Sequence, residues 1–448
     1  VIRTLTHRIS AYTPIGDLQP AELSISHAWL AVLISSEIDS HITGSRLDYD
    51  DCQAHSMEKN CDIIVVGGGV IGTAIAWALG KRRPGKIVVL EKRFLGAGSS
   101  GKSGAIVRQH YSNRLTVLMA QKSLRVFEKF NDVVGGPPVF TRTGMVLVVN
   151  GRDRPGLEAN LRLQEDLGIK TGLVDRAQLR DIAPAASLAE DEIAAFESEA
   201  GYVEAVQVVA SFAEAARRND CQIVEGAEVT SILCDHGRIQ GVETSLGRYR
   251  SRTLILATGP WASKLAPQLR VELPVQPSRT QVALFRRPAE FTRAGPVFGD
   301  FVKGIYFKPT HGDILHAGSL AGEEIRNPVD PDHCDESADG SWLPSIRQRL
   351  GERYPAMQRG YGRGGYGALY AITPDWHPII DRIPNVEGAY CAVGFSGHGF
   401  KMSPMVGELV AELVVEGRPR ALDIGALRLS RFAEKDPVKT PYEYGVMG

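Results

Sequence analysis

Three glycines, Gly67, Gly69 and Gly72, follow the apolar run "DIIVV" in the spacing G-x-G-x-x-G. Glycines so placed suit close contact between main chain and an anion. The first allows a tight turn, the second lets a pyrophosphate approach the backbone, and the third lets the following helix pack on the strand. Free N–H groups at that helix start, with the positive end of its dipole, favour phosphate. Glu91 ends a second apolar run, "IVVL" at Ile87 to Leu90, where a carboxylate can accept both hydroxyls of an adenosine ribose. The pattern predicts a dinucleotide. It leaves NAD and FAD both open, because they share the ADP half, and the acid argues only against a ribose 2′-phosphate.

Three further stretches offer bare backbone to a ligand. "YCAVGFSGHGFKMSPMVGELVAELV" reads as a strand, Ala389 to Val393, a glycine-rich turn, Gly394 to Gly399, and a helix striped by Met405, Leu409 and Leu413. Lys401 stands beside the helix start, where amides stabilise negative charge building on a ligand; the same lysine also reads as a solvated helix residue. The strand Thr253 to Ala257 is capped by Thr258 and Gly259, a second backbone approach to the same ligand. The small-residue loop Gly96 to Gly104 can present successive N–H groups to an anion or a ring edge, and is read as opening a helix.

The elements that must position these residues follow from periodicity. A continuous apolar run marks a strand buried on both faces, and Ile71, Ile75 and Leu79 make one helical stripe after the glycines. With the strand Ile87 to Leu90 this is a β-α-β unit of roughly thirty residues. Helical patterning covers Leu115 to Phe130, Leu157 to Leu167 and Val206 to Arg218, and Gly144 to Val149 reads as a strand. "GAEVTSILCDHGRIQGVETSLGRYRSRTLILATG" holds three short strands punctuated by His236-Gly237 and Leu246-Gly247, a meander. Residues 271–366, with "TQVALF" and "GIYFKP", read as a separate antiparallel sheet.

Bulk properties narrow the class. The chain has 448 residues, 43% hydrophobic and 23% charged, ordinary soluble composition with ample material for a large core. Lys plus Arg number 51 against 52 Asp plus Glu, a net charge of -1 with no long basic run, so neither nucleic acid nor an anionic membrane is expected. Six scattered cysteines (Cys52, Cys61, Cys221, Cys234, Cys334 and Cys391) show no metal-ligand spacing and no disulfide framework, which suits a reducing, cytoplasmic setting without a metal. "AWLAVLI" at Ala28 to Ile34 is too short to span a bilayer, and acidic Asp17 and Glu22 before it make a poor signal peptide. Residues 1–56, ahead of the first methionine Met57, show no periodicity; they read as an extension of unknown role or as a targeting or partner-binding arm.

Taken together, the chain from about Asp62 to about Ile424 resembles the D-amino-acid oxidase type of FAD enzymes, and within it the sarcosine oxidases, monomeric and heterotetrameric beta-subunit alike. The resemblance rests on "VVGGGVIG", "IVVLEK", "GSSGKSGAIVRQHY", "FTRTGMVLVV", "TLILATGPWASKL", "ALYAITPDWHPIID" and "GFSGHGFK". It implies an α/β fold: a Rossmann-like FAD-binding domain, with a parallel sheet, helices and a β-meander, plus a discontinuous α+β substrate domain built on a mixed or antiparallel sheet. The expected ranges are 57–137, 200–270 and 367–448 for the first and 138–199 and 271–366 for the second.

The same resemblance assigns roles. Gly67, Gly69, Val70, Ile71, Gly72, Glu91 and Lys92 hold the ADP half, and Val229 meets adenine through its backbone. Ser99, Ser100, Ser103 and Gly104 line the pyrophosphate and isoalloxazine side, and Ala257, Gly259 and Trp261 touch the middle of the cofactor. Gly397, His398, Gly399, Phe400 and Lys401 face the flavin pyrimidine edge. Arg108 and Lys401 match the positions that bind a substrate carboxylate, Tyr370 matches an active-site tyrosine, and His110 is a candidate for the same pocket. A guanidinium suits a carboxylate bidentately and a lysine adds a point charge.

The implied reaction is oxidation of the C–N bond of a small amino acid or secondary amine carboxylate, sarcosine-, glycine- or proline-like. Hydride passes to flavin N5 and leaves an imine that hydrolyses. A flavin-bearing subunit of a heteromeric amino-acid dehydrogenase or oxidase, and a 2-hydroxy-acid dehydrogenase, are the alternatives. Two departures matter. Ala368 stands where monomeric sarcosine oxidases carry the flavin-linking cysteine, so FAD is expected to be non-covalent. His316 stands where they carry a lysine that promotes reaction with oxygen, so a partner subunit or another electron acceptor comes into play.

Overall fold

The apolar run after Asp62 folds as the strand Ile63–Val66, buried along its length. The computed structural model describes residues 58–289, 295–310 and 312–439, so the readings of residues 1–56, including Cys52, and of Met57 lie outside the described residues. Strand Ile63–Val66 is flanked in parallel by Ile87–Leu90 and Thr253–Leu256. The sheet continues outward to Gln222–Val224 on one side and to Ala389–Val393 on the other, both parallel, and ends in the antiparallel strand Ile379–Arg382. The β-α-β unit read from the glycine fingerprint is thus part of a six-stranded sheet covered on both faces.

Alternation along these strands builds two cores. Ile63, Val65, Ile87, Val89 and Ile255 face the helices Val70–Arg82, Ala205–Arg217 and Gly399–Val415. Ile64, Val66, Val88, Leu90, Leu254 and Leu256 face the other way, onto Val229, Ile232, Ile239, Val242 and Tyr249. Those residues belong to the meander Val229–Asp235, Arg238–Thr244 and Gly247–Arg250, whose three antiparallel strands stand where the punctuating glycines placed them.

Helix Val70–Arg82 departs from the single stripe expected of it. Every residue from Val70 to Gly80 is buried, because the helices Ala205–Arg217 and Gly399–Val415 cover the sides the sheet leaves bare. The approach is tight: a Cβ on Gly407 would lie 2.5 Å from the Ala74 carbonyl oxygen. A helix enclosed on all sides carries no polar face, and its sequence shows none.

The other large sheet has eight strands, in the order Tyr361–Ile372, Gln276–Arg286, Ile314–Ser319, Ile305–Pro309, Val297–Asp300, Met145–Asn150, Glu192–Glu197 and Thr171–Val174. Its pairs are antiparallel except Val297–Asp300 with Met145–Asn150. "TQVALF" thus belongs to the second half of an eleven-residue strand, and Tyr361–Ile372 runs unbroken past residue 366. A buried arginine fastens this sheet: Arg353 donates to Glu192 Oε2 at 2.8 Å and to Asp300 Oδ2 at 2.7 Å.

The loop from Gly96 to Gly104 does not open a helix. It passes into the short strand Ile106–Val107, which pairs with Gly201–Val203, and the next helix begins only at Arg114. Ala105, at φ +47°, turns the chain, and its carbonyl accepts the Val203 N–H. Strand pairing has captured a segment whose small residues carry no strong preference of their own. Among the described residues no helix is long and apolar enough to cross a membrane, and no group of three or more His, Cys, Asp or Glu is placed to hold a metal ion.

Candidate functional site

The strand ends of the six-stranded sheet meet at the first glycine. Gly67 has φ +109°, a conformation L side chains avoid, and a Cβ there would approach the Ala257 carbonyl oxygen to 2.5 Å. Gly72 presses back on the same turn, its absent Cβ overlapping the Gly67 carbonyl. It is a packing glycine rather than part of a ligand surface. Gly69 admits the next loop: a Cβ would stand 3.0 Å from Ser100 Oγ, which accepts the Val70 N–H at 2.9 Å. Glu91 accepts the Gly68 N–H at 2.7 Å and the Arg93 N–H at 2.9 Å, so the acid also fixes the glycine turn.

Above these strand ends runs one elongated cavity of about 1610 Å³, counted to its open mouth. Gly67, Gly69, Val70, Ile71, Glu91, Lys92 and Val229 line one part of it. Ser99, Ser100, Ser103, Gly104, Ala257, Gly259 and Trp261 continue the wall, and Ala368, Tyr370, Gly397, Gly399 and Phe400 complete it. Gly72, Arg108, His110, His316, His398 and Lys401 are not on its surface. Ser99 Oγ and Thr258 Oγ1, both on the wall, are buried with no hydrogen-bond partner among the described residues. Buried hydroxyls are rarely left so, and two of them beside bare main chain and a terminal carboxylate fit a long phosphate-bearing ligand such as FAD.

Trp261 lines the cavity with its ring, while its indole N–H donates to Asp332 at 2.6 Å rather than facing the ligand. Lys92 also donates to Asp332, at 2.7 Å, and lies over the Trp261 ring. Asp332 itself faces the cavity and draws Lys264 as well; no sequence signature marked it.

Tyrosines and buried charge gather near Gly397. Its φ of +86° and the Tyr370 ring, 3.0 Å from where a Cβ would stand, both demand glycine. Tyr370 is hydrogen-bonded to Tyr306, another cavity residue. Burial pushes the Tyr370 phenol up to about 12 and Tyr306 well above its usual value, so both remain protonated at neutral pH. Sequence reasoning passed over Tyr306. The alternation in Ile305–Pro309, with Ile305 and Phe307 in the core and Tyr306 and Lys308 opposite, was the available signal.

Arg108, His398 and Lys401 are brought together behind the Gly397–Phe400 turn. Lys401 sits in the first turn of Gly399–Val415, where the helix dipole disfavours a cation. Burial, and then the charge of Arg108, hold its pKa well below the ordinary lysine value. No hydrogen bond or ion pair serves it among the described residues. Arg108 is 5% exposed; it donates to the His110 carbonyl and stacks over the Tyr111 ring at 4.2 Å. His398 is buried with both ring nitrogens unpartnered among the described residues, and burial, then Lys401 and Arg108, keep it neutral. Glu197, close enough to Arg108 to feel its charge, is pushed up to about 7 by burial. A buried guanidinium beside a buried lysine that no carboxylate pairs among the described residues suits an anion.

Two expected residues take other parts. The His110 ring is buried away from the cavity, with its pKa lowered to about 3 by burial and then by Arg108; its backbone is what engages the arginine. His316 packs its ring 3.0 Å from where a Gly104 Cβ would be, and its Nε2 shares a hydrogen bond with the Tyr366 hydroxyl at 3.1 Å. Burial, and then Lys308 directly across the strand pair, lower it to about 3, so it is neutral.

The FAD dependent oxidoreductase (DAO) family matches residues 62–413 of the chain. The human protein named peroxisomal sarcosine oxidase is 27% identical over 392 residues, 83% of this chain and 96% of its own length. Sarcosine oxidase subunit beta of Rhodobacter capsulatus is 25% identical, over 84% of this chain and 90% of its own. Among solved structures, L-proline dehydrogenase from P. horikoshii superposes with a TM-score of 0.78 at 26% identity, over 85% of this chain and all of that one.

Proposed function

We propose, from the premise that this chain belongs to the DAO family of FAD-dependent oxidoreductases, that it oxidises the C–N bond of a small amino acid or secondary amine carboxylate. One observation carries the reading: Arg108 and Lys401 share a buried place beside the Tyr370 and Gly397 end of the cavity, with no ion pair to occupy Lys401 among the described residues.

Bound FAD supplies a two-electron acceptor. The residues that would hold it are the Gly67–Ile71 turn, Ser99, Ser100, Thr258 and the Gly397–Phe400 turn, and Glu91 would take the ribose. Ala368 offers no nucleophile on the cavity wall, which supports non-covalent attachment. Arg108 takes the substrate carboxylate, for which the planar fork of a guanidinium is suited. Lys401 adds a point charge, and an arriving anion favours its protonated form. The protonated phenols of Tyr306 and Tyr370 orient the amine end by hydrogen bonding. The substrate carbon gives up its hydrogen with the bonding pair, the nitrogen lone pair forms the C=N bond, and water then hydrolyses the imine to amine and carbonyl product. Clamping the acid fixes the geometry of that C–H bond, so these residues act by positioning and electrostatics.

A second reading concerns the electron acceptor. Neutral His316 matches, by the family resemblance, the position of a lysine that promotes reaction with oxygen, which supports an acceptor other than oxygen; the likeness to a sarcosine oxidase beta subunit supports a partner chain in that role. Steady-state turnover with a dye acceptor on sarcosine, proline, glycine and 2-hydroxyglutarate tests the substrate class. Turnover of the amines supports C–N oxidation. Turnover of 2-hydroxyglutarate alone replaces it with C–OH oxidation on the same clamp.

A further inference from the structure

Between Val107, where one strand ends, and Arg114, where the next helix begins, the chain runs through Arg108, Gln109, His110 and Tyr111 without regular structure. All four are buried. Buried amides outside a ladder need another acceptor. Here it is a single side chain. Glu197, at the end of the strand Glu192–Glu197 and fully enclosed, accepts the Gln109 N–H at 2.9 Å through Oε1 and the His110 N–H at 3.1 Å through Oε2. Oε1 also accepts from the Gln109 side-chain amide at 3.1 Å.

Strand packing alone asks for an apolar residue at 197, since an enclosed carboxylate is costly. What the carboxylate does is hold two consecutive peptides. The next peptide, on the far side of the His110 Cα, carries the carbonyl that accepts from Arg108. We propose that Glu197 is a positioning residue for the carboxylate clamp: by holding the Gln109 and His110 N–H groups it fixes the backbone leading into the His110 carbonyl, which sets the aim of the Arg108 guanidinium. This rests on the reading of Arg108 as the group that takes the substrate acid.

The proposal has a pH consequence. Burial first, opposed by the Gln109 and His110 amides and by Arg108, leaves the Glu197 carboxyl at about 7. Below that value it is protonated and grips the two N–H groups less strongly, so the clamp loosens as pH falls. The ionisable groups around it do not mimic this. His110 is lowered to about 3, Tyr111 is raised to about 12, and Glu199, despite burial, is lowered by its bonds to Arg125 and the charge of Lys170. The strand neighbours paired with Glu197, Met145 and Thr171, do not titrate. Lys401, near Arg108, acts with the opposite sign: its charge is lost as pH rises.

The test is binding of acetate, a carboxylate with no amine to titrate, to the FAD-loaded enzyme, read from the flavin spectrum between pH 6 and 8. The native protein should bind more weakly as pH falls through about 7. Glu197→Gln keeps the shape and removes the ionisation; it should weaken acetate about tenfold at pH 8 and abolish the step. In an Arg108→Ala background the same change should have no further effect, because coupled residues are non-additive. Full additivity, or a step that persists in Glu197→Gln, overturns the proposal. If Glu197→Gln fails to hold FAD, Arg108→Ala decides: loss of the step supports the positioning role, and a retained step overturns it. Acetate affinity unchanged by Arg108→Ala overturns the clamp itself, a distinct outcome.

Discussion

A side chain on Gly67 would drive its Cβ to 2.5 Å from the Ala257 carbonyl oxygen, at a backbone φ of +109°. The turn that lines the cavity and the end of the neighbouring strand therefore touch through main chain alone. Gly67→Ala is expected to abolish FAD retention, while Gly69→Ala, whose nearest neighbour is the movable Ser100 hydroxyl at 3.0 Å, should lose it only in part. Flavin absorbance per purified protein measures both. A fully loaded Gly67→Ala would contradict the role given to that contact.

Arg108→Ala and Lys401→Ala should each raise KM for the amino-acid substrate while the flavin spectrum persists. Removing a charge-assisted contact costs about 1.5–3 kcal/mol, on the order of ten- to a hundredfold. Steady-state kinetics under dye reduction give the answer, and unchanged KM in both variants defeats the clamp.

The Lys401 pKa lies below its ordinary value, so the charge it lends to the clamp is present at low pH and fades as pH rises through that depressed value. Lys401→Arg, which stays charged, should keep carboxylate affinity into the alkaline range where the native enzyme loses it. Parallel loss in both proteins would show that another group controls the alkaline limb.

Arg353 is almost wholly buried between Glu192 and Asp300 in the eight-stranded sheet. Arg353→Met leaves two enclosed carboxylates without their cation and should cost about 3–5 kcal/mol. Burial works against the Glu192 charge, yet its bond to Arg353 wins and lowers the pKa. That stabilisation is complete above the unfolded carboxyl value and is lost as pH falls through the folded one. Denaturant unfolding at neutral pH and at acid pH checks both statements; an Arg353→Met variant with unchanged stability would refute them.

With Ala368 on the cavity wall, acid precipitation should leave the flavin in the supernatant. Flavin carried down with the protein would point to a covalent link through another residue. His316→Lys, by placing a cation where a neutral ring now stands, should speed reoxidation by air.

Much of this site was legible because its signals are local. Glycine after an apolar run marks a strand end, and Ile87–Leu90 and Ala389–Val393 have the bounds their sequence suggested. The meander was marked by its punctuating glycines. Other features depend on neighbours far along the chain. Helix Val70–Arg82 is enclosed on all sides only because two later helices cover it, and the Gly96–Gly104 loop leaves as a strand because Gly201–Val203 waits for it. Glu197, Tyr306 and Asp332 are single polar residues in unremarkable contexts; sheet pairing and chain reversal, not local pattern, deliver them to the site. Lys401 was marked by the glycine-rich helix start, whereas Arg108 and the pairing of the two on a carboxylate came from family resemblance, and the fold places them near one another.

The account stands or falls on a bound flavin reducible by an amine that carries a carboxylate. Purified protein should be yellow, and anaerobic addition of one of sarcosine, proline or glycine should bleach its absorbance near 450 nm, a value on the order of that usual for oxidised flavin cofactors. Protein that is colourless and takes up no added FAD, or yellow protein that no amino acid bleaches, would contradict it.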